Sequence, residues 1–265
     1  MTALTAPVPA GHYRFRHLVQ MEWIKLRSLR STWWTLVVPA AGAIGIGVVV
    51  GINTRNASGD LTNNALAGII PSVLLIGVLG ALAVTSEYSS GMIRTTLCAA
   101  PRRPMLLAAK AAVFGAVAVT VGEIASFIAF FAGGASLRHG IPAPALTQPG
   151  VLRAVLLSGV SFGLIGLIGL GLGAIVRHSG AAIGLVVGGV YVLATVVGQV
   201  ERGLGVYMPI VIIGNSLTTT KPQTCPAHAD YCPHLVSAWA GLGLLGLYAA
   251  VALAVGGWLL ARRDA

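Results

Sequence analysis

Six long apolar runs, each about 20 residues or more, constrain this chain more than any other feature of its sequence. A helix of about 20 residues crosses the ~30 Å hydrocarbon layer of a bilayer, whereas a lone strand would leave its backbone polar groups unpaired there. The chain is therefore predicted to be an all-α integral membrane protein of six transmembrane helices. The predicted spans are 33–52, 65–84, 106–132, 154–176, 180–200 and 238–261.

The charge content supports a lipid environment. Of the 265 residues 56% are hydrophobic and 9% are charged, against roughly a quarter charged in soluble domains. The net charge of +10 would suggest nucleic acid in a soluble protein, but here the basic residues flank the apolar runs. We therefore expect the lipid bilayer, and no nucleic acid, as a partner of a single transmembrane domain over residues 1–265.

Lys and Arg are distributed unevenly between the two sides. With the N-terminus inside, twelve of the 17 fall on inside segments and five on outside loops. Membrane proteins carry an excess of these residues on the cytoplasmic side, so both termini are predicted to be cytoplasmic. Fourteen Arg against three Lys, with abundant Ala, Gly and Val, suggest a GC-rich bacterial genome and hence the bacterial cytoplasmic membrane.

The segment 11–31, before the first run, predicts an amphipathic helix. Its apolar residues share one side at helical spacing, and basic residues flank that side. Such a helix is expected to lie in the cytoplasmic headgroup layer. Glu22 projects from the middle of the apolar side, where a buried carboxylate needs a partner. It either pairs within the protein or tips outward to a nearby Arg or to water.

Two loops carry predicted structure. Between spans two and three, Ser86 is expected to cap a short cytoplasmic helix that begins near Glu87 and ends before Pro101. Between spans five and six, the apolar stretch 204–213 is too short to cross the membrane, so a re-entrant or interfacial segment is expected.

The same outer loop contains a group of Cys, His and Asp side chains. Cys225 and Cys232 are six residues apart, and a disulfide is expected between them on the outside of the membrane. A metal site that adds His228 and His234 is the alternative, but the Cys spacing is not a usual zinc pattern.

Glu123 is the one acidic residue within the body of a predicted span. It lies 13 residues beyond Lys110, which places it roughly 20 Å deeper along the helix. Intramembrane acids usually face the protein interior or a water-filled cavity. Glu123 is therefore either a contact for a polar or cationic substrate or a proton site, or else a structural carboxyl bonded to Ser or Thr of a neighbouring helix.

The order of these parts resembles the permease subunits of bacterial ABC-2-type exporters. The most specific stretch is 87–110, which reads E-Y-S-S-G-M-I-R-T-T-L-C-A-A-P-R-R-P-M-L-L-A-A-K. It is similar to the family segment in which E-Y/R-x-x-G-T-I-R recurs and a Lys follows P-x-R, with Met92 standing where Thr is common. Stretches 22–27 and 207–217 are also similar to the family, and the ending A-R-R-D-A resembles its actinobacterial members.

The resemblance implies a half-transporter with no catalytic residues of its own. Two permease chains, expected to be a homodimer, pair in the membrane, and two separate ABC ATPase subunits dock on the cytoplasmic side. ATP and Mg belong to those ATPase subunits, so no cofactor or metal is expected on this chain. Segment 87–97 is then the coupling helix, with Arg94 placed to pair with Glu22. The residues expected to couple to the ATPase are Glu22, Glu87, Tyr88, Gly91 and Arg94.

Two other classes of function compete with this interpretation. A proton-coupled secondary transporter would use Glu123, although one intramembrane acid is sparse for ion coupling and no broken-helix pair recurs in the two halves. A membrane enzyme would need a cluster of reactive side chains at one membrane level. None is evident, and the sequence contains no G-x-x-x-x-G-K-[ST], H-E-x-x-H or G-x-S-x-G motif.

The charge bias makes the topology testable. Single-Cys variants at Arg55, Arg138 and Lys221, in a background without the three natural cysteines, should react with an impermeant thiol reagent in intact cells. A single Cys at Arg94 is the control and should react only after permeabilisation. Labelling at Arg94 but not at the other three positions would invert the topology.

Overall fold

Every regular secondary-structure element in the described part of the chain is a helix. The computed structural model describes residues 14–28, 30–55, 59–93, 96, 103–138, 140–200, 202–219 and 236–262, and no strand occurs among them. The helices are α1 (Phe15–Ser28), α2 (Arg30–Asn53), α3 (Leu61–Ala65), α4 (Ile69–Ser89), α5 (Arg103–Ala135), α6 (Val151–Val176), α7 (Ser179–Val187), α8 (Leu193–Val200), α9 (Arg202–Gly205), α10 (Pro209–Leu217) and α11 (Ala238–Arg262). A π-helical turn, Gly188–Val192, joins α7 to α8.

Five helices are long and apolar enough to cross a membrane, as expected of a multi-pass membrane protein. They are α4, α5, α6, α11 and the part of α2 from Trp33 to Asn53. The predicted spans one to four and six correspond to these helices with shifted ends. The predicted fifth span, 180–200, is helical but is interrupted by the π-helical turn. Two adjacent glycines, Gly188 and Gly189, begin that turn, where the chain lacks side chains that would hold regular α-helical geometry.

Helix α6 forms the centre of the bundle and packs against α4, α5 and α11. Its close contact with α4 depends on glycine. A Cβ added to Gly169 would lie 1.9 Å from the carbonyl oxygen of Gly77, and one added to Gly80 would lie 2.0 Å from that of Gly166. Lipid tails are as apolar as the helix surfaces, so burial of apolar side chains does not drive helices together in a membrane. Close backbone packing of this kind is therefore a main source of helix association in lipid.

The helix ends gather into two groups at opposite ends of the bundle. At one, which we call the α1 end, Arg103 donates to the carbonyl of Leu260 and Arg177 donates to that of Leu259. These contacts bring the start of α5 and the end of α6 to the end of α11. At the opposite end Asp60 accepts from the backbone N–H and the hydroxyl of Thr219, at 2.6 and 2.9 Å.

The loop after α4 differs from the prediction. Ser86 does not cap a new helix, because α4 continues to Ser89 and the Ser86 carbonyl accepts from the N–H of Ser90. Glu87 therefore lies in the last turn of a spanning helix and does not begin a coupling helix. Gly91 then turns the chain with a left-handed φ of 72°, and helical geometry resumes at Met92. The residues of α4 beyond Val84 are mostly polar, and Ser86 is a good cap by residue type, which is why the sequence placed the boundary too early.

The apolar stretch after the predicted fifth span forms two short helices, α9 and α10. Pro209 occupies the first turn of α10, where its missing N–H costs no helical hydrogen bond. Ile212, Ile213 and Leu217 are buried, and α10 packs against α6 and α11. The segment is thus folded against the bundle.

The contact between α4 and α6 yields a stability prediction. Gly169→Ala should destabilise the protein by about 1–3 kcal/mol, because the new methyl overlaps the Gly77 carbonyl. Gly184→Ala is the matched control, since nothing lies within 4 Å of its added Cβ. Thermal unfolding in detergent should show a lower midpoint for the first variant alone. Equal midpoints for the two variants would contradict the packing.

Candidate functional site: a buried ion cluster at the α1 end

Four charged side chains meet where α1 crosses the spanning helices. Glu22 and Lys25 lie three residues apart on α1 and so share one side of it. Glu87 comes from the last turn of α4, and Lys110 from the second turn of α5. We call these four residues the ion cluster.

Lys110 is the centre of the cluster. Its Nζ lies 2.6 Å from Oε2 of Glu22 and 2.7 Å from Oε1 of Glu87. Lys25 donates to the same Oε1 of Glu87. Glu22, Glu87 and Lys110 retain 5%, 2% and 7% of their exposure, whereas the Lys25 side chain retains 25%. Two carboxylates and two ammonium groups thus form a compact set with no formal net charge.

The position of Glu87 explains why cations from two other helices approach its carboxylate. The carbonyl groups at the end of a helix carry partial negative charge, which disfavours an anion in the last turn. Burial adds a desolvation cost that an unpaired carboxylate could not offset. Lys110 and Lys25 approach it from two other helices and supply the compensating charge.

The cluster fixes α1 against the bundle. Replacing a buried ion pair as a whole by apolar residues is often neutral, but removal of one partner costs about 3–5 kcal/mol. The cluster therefore specifies position more than it adds stability: α1 is held where Glu22 reaches Lys110 and Lys25 reaches Glu87. Leu18, on the same helix, packs with Leu106 and Ala109 on α5 and supports this position.

Glu22 has a partner that was not expected from the sequence. Glu22 is buried and does not tip outward, and the cation it contacts is Lys110. Arg94, the expected partner, lies outside the described residues. The sequence alone could have indicated Lys110, because it stands one turn into an apolar run and needs an anion as much as Glu22 needs a cation. Lys25 carried a similar signal, three residues from Glu22.

Tyr88 and Gly91 lie beside the cluster and not within it. The guanidinium carbon of Arg177 lies 5.2 Å from the centre of the Tyr88 ring, in a cation–π arrangement that joins the ends of α4 and α6. Gly91 N–H donates to the Tyr88 carbonyl and ends α4 in the left-handed conformation that glycine adopts without strain. Gly91 therefore sets the direction in which the following segment leaves the membrane helix.

Glu123 is far from the cluster, on the face of α5 that meets α6. Its carboxyl group occupies the space above Gly159, where an added Cβ would lie 2.4 Å from Glu123 Cδ. Oε2 is buried and accepts no hydrogen bond from the described residues. Ser126 and Ser158, about one turn away, bond to each other at 2.8 Å. The Ser or Thr partner that the structural alternative requires is thus absent from the described part of this interface.

The remaining predicted site falls beyond the described chain. Cys225 and Cys232 lie outside the described residues, as do His228 and His234, so neither the disulfide nor the alternative metal site is located. Within the described ranges no three His, Cys, Asp or Glu side chains lie close enough together to hold a metal ion.

Comparison with known proteins identifies no family. No protein-family model matches the sequence, and no curated protein matches it.

The asymmetry of the ion cluster gives a prediction. Lys110→Met should destabilise the protein by about 3 kcal/mol or more, because it leaves two buried carboxylates without their shared cation. Lys25→Met is the control and should cost about 1 kcal/mol, since Lys25 is partly exposed and Glu87 keeps Lys110. Denaturation in detergent measures both.

A double-mutant cycle isolates the contact between Glu22 and Lys110. Glu22→Gln together with Lys110→Met should cost less than the two single changes added, with a coupling energy of about 1–3 kcal/mol. Additive losses, or Lys110→Met no worse than Lys25→Met, would show that Lys110 does not hold the cluster together.

Proposed function

We propose that this chain is the membrane-spanning permease subunit of an ATP-driven ABC exporter of the ABC-2 type. In this proposal it provides the translocation path and couples to a separate ATPase subunit that binds ATP and Mg. Two copies pair in the bacterial cytoplasmic membrane, and each chain crosses it six times. The sixth crossing is the α7–α8 segment with its π-helical turn, α9 and α10 re-enter from the outer side, and both termini and the α1 end face the cytoplasm.

The ion cluster is the observation that carries the proposal. A permease that is driven by an ATPase docked on its cytoplasmic surface needs a stiff connection between that docking surface and its spanning helices. The cluster joins α1, α4 and α5 through Lys110, and it lies one turn from Gly91, where the chain leaves α4. A force applied to the segment after Gly91 would therefore reach α1 and two spanning helices together.

The sequence supplies the second support. The residues of segment 87–110 that resemble the family include both Glu87 and Lys110, and stretch 22–27 contains both Glu22 and Lys25. The two stretches that resemble coupling elements are thus the two that the ion cluster brings into contact. In this proposal the docking helix begins after Gly91, later than the sequence suggested.

A proton-coupled transporter that uses Glu123 remains the second candidate. The buried Oε2 of Glu123, which has no hydrogen-bond partner among the described residues, favours a site where a proton or a cation binds. In that case Glu123→Gln should abolish proton-driven uptake or efflux in vesicles that contain this chain alone. Under the exporter proposal, such vesicles show no transport before or after the change.

The turn at Gly91 provides the test of coupling. This chain, reconstituted with the ATPase subunit that copurifies with it, is expected to stimulate ATP hydrolysis by that subunit. Gly91→Val should reduce this stimulation by several-fold. The reason is that a β-branched residue resists a φ of 72°, at a cost of about 1–2 kcal/mol or more, and the docking segment then leaves α4 in another direction.

Ser90→Val is the matched control for this experiment. Ser90 is exposed and precedes Gly91, but its φ of −85° suits any residue. The Ser90→Val variant should therefore stimulate ATP hydrolysis about as much as the unmodified chain. Unaltered stimulation by Gly91→Val would contradict coupling through this turn. Transport by the chain in the absence of any ATPase would contradict the exporter proposal as a whole.

A further inference from the structure

A cavity of about 320 Å³ lies against the ion cluster, between α1, the start of α2, α4 and α5. All four cluster residues line it. The rest of its lining is mostly apolar and includes Leu36, Leu79, Leu82 and Phe114, which we call the apolar wall. Pockets that hold small molecules begin at about 300 Å³, so there is space for a polar head and the first part of a chain. A lining that combines charged and apolar side chains is what an amphiphile requires.

The hydrogen-bonding capacity of the cluster is only partly used. Lys110 holds Oε2 of Glu22, while Oε1 of Glu22 is buried and accepts no hydrogen bond from the described residues. Both lysines hold the same Oε1 of Glu87. Lys25 has three N–H donors, of which its bond to Glu87 uses one. An unpartnered carboxylate oxygen on Glu22, which is 5% exposed, is costly unless a donor reaches it.

Exposed tryptophans place the cavity near a membrane interface. Trp23 on α1 and Trp33 and Trp34 at the start of α2 are 45%, 46% and 70% exposed. Tryptophan concentrates at the level of lipid headgroups, where its ring is partly in apolar and partly in polar surroundings. The cavity borders the same two helices, and its lining residues Ser86 and Thr35 are exposed at the surface. A lipid headgroup from the adjoining leaflet is therefore at the right depth.

We propose that this cavity binds the headgroup of a zwitterionic membrane lipid whose cation is a primary ammonium group. The ammonium donates to the open carboxylate oxygen of Glu22, the phosphate accepts from the unused donors of Lys25, and the acyl chain begins along Leu79 and Leu82. The match is one of charge and of hydrogen-bond donors: the cluster has no formal net charge, Glu22 has a carboxylate oxygen without a partner among the described residues, and Lys25 has unused N–H donors. The proposal does not depend on an ATPase partner, so it survives or fails separately from the exporter function.

Photocrosslinking in nanodiscs tests the choice of headgroup. The intact chain is reconstituted in phosphatidylcholine with a trace of phosphatidylethanolamine that carries a diazirine near the start of one acyl chain. The same diazirine on phosphatidylcholine is the matched probe, since its trimethylated cation has no N–H to donate. Mass spectrometry should find the peptides that carry Leu79, Leu82 and Phe114 labelled several-fold more by the ethanolamine probe.

Cavity-filling variants test the location. Leu82→Trp occupies the apolar wall without removing a charge, and it should lower ethanolamine labelling of these peptides to the choline level; Leu79→Trp should do the same if Leu82→Trp does not fold. Leu75→Trp is the control, two turns earlier on α4, 45% exposed and outside the cavity lining. It should leave the labelling unchanged.

Three outcomes would overturn the proposal. Equal labelling by the two probes would mean that the ammonium is not recognised. Preferential labelling that persists in both Leu79→Trp and Leu82→Trp would place the lipid elsewhere. Strong labelling by an anionic phosphatidylglycerol probe and weak labelling by both zwitterionic probes would mean that the lysines alone attract the lipid.

Discussion

One ammonium group shared by two buried carboxylates is the contact on which the organisation of the α1 end depends. Lys110 stands in an apolar helix, and without it Glu22 would have no cation among the described residues and Glu87 would keep only the partly exposed Lys25. Since the three residues come from three helices, the requirement for pairing becomes a requirement on geometry. The amphipathic helix cannot slide or rotate on the bundle without exposing or separating charges, whereas apolar packing alone would tolerate small shifts.

The same contact links two parts of the molecule that would otherwise act independently. On one side of it the chain leaves α4 at Gly91 toward the loop that precedes α5. On the other side lies the cavity, with its apolar wall formed by α2, α4 and α5. Any movement of the loop that displaces Glu87 would alter the cavity wall as well. A permease that handles amphiphilic molecules would need this kind of connection between its docking surface and a lipid-level site.

The spanning helices could be predicted from the sequence because the requirement is simple: about 20 apolar residues in a row satisfy the bilayer whatever their order. The buried position of Glu22 was also readable as one of two outcomes, since it interrupts an apolar face. Lys110 also stood out as a charge within an apolar run, but the pairing of the two residues depends on the packing of α1 on α5 across a separation of 88 residues. The end of α4 was misplaced for a local reason: Ser86 is a good cap by composition, but the backbone there was already committed to a helix. The π-helical turn after Gly188 has no counterpart in apolar periodicity.

We propose that the α1 end is a coupling surface for an ATPase. Purification from native membranes with chemical crosslinking tests this role most directly. We expect an ABC ATPase chain to copurify in stoichiometric amount, with crosslinks from its surface to the segment between Ser89 and Arg103. Such crosslinks should weaken in Gly91→Val and persist in Ser90→Val. Recovery of the chain with copies of itself alone, or with an ATPase crosslinked only at the opposite end of the bundle, would contradict the account.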